Sequence, residues 1–137
     1  MSTRGEIAIR MEDGTYRGIG CQHDSYPSHL GEVLFENYNT EEKVNALIDR
    51  GEASSIDKTL DECCFYADNG EKLRIDAYPS REALVQECNN DIFMEFLYIW
   101  ENDKWYIYAV DRNERFIKHS QPAEYGLIRE ALLEANL

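Results

Sequence analysis

The sequence predicts one α+β domain over residues 1–137, a mostly antiparallel sheet of hairpins covered on one face by about four helices. Three turn signals between apolar runs and four apolar stripes at helical spacing carry that prediction. A chain of 137 residues with 43% hydrophobic and 12% aromatic side chains can build one core.

The elements follow in order. Residues 6–11 alternate, with Ile7, Ile9 and Met11 on one side, and residues 15–22 form a second extended run. Asp13-Gly14 between them tolerates the positive φ of a tight hairpin turn. Pro27-Ser28 opens a helix through Tyr38, with Leu30, Val33, Leu34 and Tyr38 on one stripe. Thr40 caps a second helix, Glu41 and Glu42 favour its positive end, and Gly51 ends it. After a polar loop, residues 63–67 read as a strand. Asn69-Gly70 then predicts a hairpin to residues 72–77. Pro79-Ser80 starts a helix to Cys88, with Ala83 and Leu84 inward. Residues 93–100 and 104–110 form a hairpin around Glu101-Asn102-Asp103. Gln121-Pro122 opens a terminal helix to about Ala135, with Tyr125, Ile128, Ala131 and Leu132 inward.

Fourteen Lys and Arg against 27 Asp and Glu give a formal charge of −13. That excludes direct nucleic-acid binding, which needs a basic face, and argues against anionic lipid. No apolar stretch reaches the length of a membrane span, and residues 1–12 are too polar for a signal peptide. Cysteines at 21, 63, 64 and 88 contain no CxxC. Packed thiols in a cytoplasmic protein are the expectation, with neither cofactor nor metal. No phosphate-binding glycine loop and no hydrolase or kinase signature occurs.

Three features are candidate sites. The first is the acidic run Glu82, Glu87, Asp91, Glu95, Glu101 and Asp103, which contains no Lys or Arg. Residues 52–76 add seven acids against three bases. Such a run forms either a solvated surface or a docking face for a basic partner. A globule of this mass exposes about 7,400 Å², so evenly spread carboxylates would lie roughly 16 Å apart. Duplex DNA carries a charge per about 1.7 Å of axis, so nucleic-acid mimicry requires the acids to cluster on one face.

The second is the strand-to-helix junction, residues 21–29, with His23, Asp24, Tyr26 and His29 as ligand-binding candidates. Cys21, His23, Asp24 and His29 have zinc-ligand chemistry, but their spacing matches no trusted pattern. His23 and Asp24 are also the candidate acid/base pair of a small hydrolase. The competing structural role is local, with Asp24 and Ser28 capping the helix. The third is the aromatic hairpin, where Phe96, Tyr98 and Trp100 share a face and Trp105, Tyr106 and Tyr108 follow. Its rings either stack a base or pack a sheet covered on both sides.

Met1-Ser2-Thr3-Arg4, Asp13-Gly14 and Cys21-Gln22-His23-Asp24-Ser25-Tyr26-Pro27 resemble a family of small phage, prophage and plasmid proteins. Members begin Ser/Gly-Thr-Arg and carry a His-x-Asp/Gly-Tyr-Pro loop before a helix. Residues 65–71 and the hairpin from Glu95-Phe96-Leu97-Tyr98 to Trp105-Tyr106 extend the likeness over most of the chain. Ser25 stands where the family has Gly, and Ala67-Asp68-Asn69-Gly70 where it is more basic. The resemblance implies mobile-element cargo, a setting in which small acidic proteins antagonise host defence. The resulting expectation is a non-catalytic accessory protein that binds and inhibits a host protein, such as a nucleic-acid-processing complex. The alternatives are a small-molecule or nucleotide binder using the 21–29 loop and the aromatic hairpin, and the hydrolase.

Overall fold

Gly14, at φ 86°, turns the chain where Asp-Gly predicts it, and the Met11 amide bonds the Thr15 carbonyl across the turn (2.7 Å). The hairpin joins β1 (Arg4–Arg10) to β2 (Tyr16–Cys21) in a computed structural model that describes residues 3–111 and 115–119. Pro27 opens one π-helical turn (Pro27–Gly31) that runs into α1 (Glu32–Asn37). The Thr40 hydroxyl accepts from the Lys43 amide at 3.2 Å and caps α2 (Glu41–Ile48). Two short strands follow, β3 (Ala53–Ser55) and β4 (Cys64–Phe65), then β5 (Asp76–Tyr78). Ser80 caps α3 (Arg81–Asn90) by accepting from the Ala83 amide at 3.1 Å. Asn102 and Asp103, both with positive φ, make the two-residue turn between β6 (Met94–Glu101) and β7 (Lys104–Asp111). β8 (Arg115–His119) pairs with β7.

The architecture is α+β, and it corrects the predicted one in three respects. The sheet is mixed rather than mostly antiparallel. Seven strands run β4-β3-β2-β1-β6-β7-β8, with β5 as an eighth on β2, and the β1–β6 and β2–β3 pairs are parallel. Parallel neighbours need crossovers, and α1 with α2 makes one while α3 makes the other. Helices therefore lie on both faces. Ile7, Ile9, Ile19, Leu34, Leu47 and Trp105 fill the core on the α1/α2 side. Ala8, Leu84, Leu97, Ile99 and Tyr108 fill the α3 side. Finally, there are three α-helices among the described residues, not about four; the terminal helix expected at 122–135 lies outside them.

The Asn69-Gly70 hairpin does not form either. Residues 66–69 make a 3₁₀ turn that Gly70 terminates at φ 89°. The chain then travels to the other edge segment of β2, where β5 pairs Gly18↔Asp76 and Tyr16↔Tyr78. That pairing places Asp76 and Tyr78 on the α3 side of the sheet, beside Glu6 of β1.

Candidate functional site, an acidic hollow beside helix α3

Glu6 alternates away from Ile7 and Ile9, so a one-sided sheet would leave it in solvent. The second layer, α3, buries it to 3% exposure instead. Across β1 and β2 its neighbours are Gly20 and, two pairs along on the same face, Gly18 opposite Ala8. A Cβ on Gly18 would stand 2.8 Å from Glu6 Oε2 and 2.7 Å from the Ile7 carbonyl oxygen. Only a glycine leaves the carboxyl its seat there. Over this gap the Tyr78 hydroxyl donates to Glu6 Oε2 at 2.9 Å, and Asp76 lines one hollow with Glu6.

These residues floor a hollow of about 260 Å³. Glu52, Glu87 and Asp91 complete an acidic lining with Glu6 and Asp76, against the two guanidinium groups of Arg4 and Arg74. Glu52 is held in place, its Oε1 accepting from Gln22 Nε2 at 3.0 Å while Arg74 approaches Oε2 at 3.8 Å. Asp91 Oδ1 accepts from the Phe93 amide at 2.9 Å and fixes the turn from α3 into β6. Burial pushes the Glu6 carboxyl well above the ordinary carboxylate range, and the nearby Asp76 and Glu52 charges add to it; the Tyr78 bond opposes them. Burial, then the Glu6 and Asp76 charges, likewise push the Cys88 thiol up, so it is no nucleophile.

The acidic run of the sequence divides between two places. Glu87 and Asp91 line the hollow, and Glu95 sits beside it, accepting from the Arg4 amide at 3.3 Å. Glu82 is exposed on α3. Glu101 and Asp103 belong to a second depression of about 160 Å³ at the opposite end of β6, with Arg10, Glu12 and Glu41. Glu101 is also bound there by Arg81 Nε (3.0 Å) and the Tyr16 hydroxyl (3.1 Å).

The 21–29 loop is clamped rather than open. Ser25 is fully buried, its amide bonded to the Thr3 carbonyl (3.1 Å) and its carbonyl to the Tyr98 hydroxyl (2.7 Å). His23 turns Nδ1 to the Ser54 carbonyl (3.1 Å) and hydroxyl (3.2 Å), not to Asp24. Asp24 stands at φ 57° in the bend, exposed, and neither it nor Ser28 caps the helix, whose N-cap is Tyr26. The Tyr26 and His29 rings lie 6.1 Å apart and tilted. Cys21 is buried beneath, its thiol pushed up by burial. No set of His, Cys, Asp and Glu among the described residues is grouped to hold a metal ion.

The aromatic hairpin is core on both faces. Trp100 meets Trp105 edge-on at 5.4 Å, and Trp105 Nε1 donates to the Tyr38 carbonyl at 2.9 Å. Tyr98 is buried on that side and Tyr108 on the other, so these four rings present no open face for a base.

Comparison with known proteins returns no matching family model, no matching curated protein and no matching solved structure. Sequence reasoning missed Glu6, Glu52, Asp76 and Tyr78. The one available signal was Gly18-x-Gly20 inside a strand, a mark of close approach by another group.

Proposed function

We propose that the protein is a non-catalytic accessory protein of a mobile element that inhibits a host protein by docking its acidic α3 face on a basic surface. The single observation that carries this reading is convergence. Glu87 and Asp91 of the acidic run share one hollow with Glu6, Glu52 and Asp76, which are distant in the chain. A hollow so lined is complementary to a lysine or arginine side chain of a partner, and its rim charges would steer approach. Nucleic-acid-processing proteins, whose grooves are basic, are the partner class that fits both the charge and the resemblance. The loop offers less support for catalysis, since His23 is held by Ser54 and Asp24 stands exposed in the bend.

The test is recovery of the tagged protein from clarified bacterial lysate at low and moderate salt, alongside an E87K/D91N variant. Asn at 91 keeps the Oδ1 acceptor for the Phe93 amide. A partner retained by the natural protein at low salt, released at moderate salt and absent from the variant supports the reading. A partner bound equally by both overturns it.

A further inference from the structure

Among the described residues, β5 is held to the rest of the sheet by few bonds. It has three residues, pairs only with β2, and lies at an edge that it shares with β3. Its two even-numbered side chains add to that hold: the Tyr78 hydroxyl bonds the Glu6 carboxyl while its ring packs in the cluster with Leu84 of α3, and Asp76 lines the same hollow as Glu6. The Glu6 carboxyl is almost wholly buried, yet it lines the acidic hollow together with Asp76, and a Cβ on Gly18 would stand 2.8 Å from its Oε2.

We propose that Glu6 is a proton-operated latch for β5: its protonated carboxyl holds Asp76 and Tyr78 over Gly18, and loss of the proton to solvent releases the β5 edge from β2. The charge inventory around Glu6 decides the direction. From β5 it faces Asp76 and the Tyr78 hydroxyl, and from the segment before β3 it faces Glu52. From α3 the hollow adds Glu87, Cys88 and Asp91; β2 presents Gly20 and no charge; β6 presents Met94. Arg4 of its own strand and Arg74 before β5 are the positive groups, and Arg74 is engaged with Glu52. A second carboxylate in this company meets more negative than positive charge in a buried seat. The Tyr78 bond favours the ionised form, but burial and the Asp76 charge both outweigh it. Moving β5 outward carries Asp76 away from an ionised Glu6, and it breaks a three-residue edge pairing rather than a central strand.

This latch stands apart from the docking reading, since its readout needs no partner. The experiment is amide hydrogen exchange of residues 76–78 between pH 5 and pH 9, expressed as protection relative to the intrinsic rate at each pH. In the natural protein protection of these amides should fall at least about tenfold across the range, the change that one pH unit of linkage produces. The amides of β6 should hold theirs. Glu6→Gln, which keeps an acceptor for Tyr78 and gains a donor for Asp76, should hold β5 protected throughout. Should that variant fail to fold, Asp76→Asn decides, because it removes the repelling charge and should make the fall shallower. Flat protection in the natural protein, or an undiminished fall in either variant, overturns the latch.

Discussion

The Tyr78 hydroxyl reaches from the edge strand β5 across the glycine gap of β2 to Glu6 Oε2, 72 residues away in sequence, at 2.9 Å. Both side chains are buried, so the bond cannot be exchanged for water without cost. Tyr78→Phe deletes the donor and keeps the ring. Denaturant unfolding at pH 5 should show a loss of about 1–3 kcal/mol, the penalty for stranding a buried acceptor. A change inside the error of the method would mean that Glu6 finds another partner.

Gly18 makes that reach possible, and alanine there is the sharper test of packing. Its Cβ would meet the Ile7 carbonyl oxygen at 2.7 Å, a backbone atom that cannot rotate away. Gly18→Ala should cost about 1–3 kcal/mol by overpacking, although alanine is otherwise better than glycine in a strand. Gly20, whose Cβ would lie 3.8 Å from its nearest neighbours, should accept alanine with little change. Thermal unfolding of the two variants gives the comparison.

Glu6 also sets a pH dependence of global stability. Its folded pKa is raised, so between the unfolded and folded values the folded chain binds more protons than the unfolded one. Stability conferred by this group therefore falls as pH rises through that window. Glu6→Gln has no proton to lose, and its Tm against pH should be flatter than that of the natural protein, with the gap widening toward neutral pH. Parallel curves would contradict the sign.

Trp105 tests the covered aromatic face. It is 1% exposed, packs on Trp100 and donates to the Tyr38 carbonyl. Trp105→Ala should cost about 3–5 kcal/mol and unfold a marginal domain at ordinary temperature. A nucleotide-stacking role would instead predict a folded variant that has lost a ligand.

Local signals in the chain were legible where the physics is local. Thr40 and Ser80 cap the helices that follow them, and Asp13-Gly14 and Asn102-Asp103 turn the hairpins they mark. The β1–β6 pairing was not legible, because a parallel contact between Ile7 and Tyr98 depends on crossovers rather than on neighbouring residues. A sheet covered on one face only gives no reason to bury Glu6, which is why it was not named. Asn69-Gly70 misled for a related reason: the dipeptide fits any positive-φ stop, and here it ends a 3₁₀ turn. Of the site, Glu87 and Asp91 were named from their charge pattern. Glu52 and Asp76 were counted only as part of an acidic segment, since the register Gly18↔Asp76 that brings Asp76 to Glu6 exists only in the folded sheet.

A protein that docks through its acidic α3 face must lose affinity as salt rises. The partner recovered from lysate would be purified and its Kd measured from low to moderate ionic strength, for the natural protein and for E87K/D91N. Binding should weaken steadily with salt, with the variant at least about tenfold weaker at low salt and its salt dependence shallower. His23→Ala should bind as the natural protein does. A Kd indifferent to salt and to the α3 charges, but lost with His23, would contradict docking through α3 and move the function to the 21–29 loop.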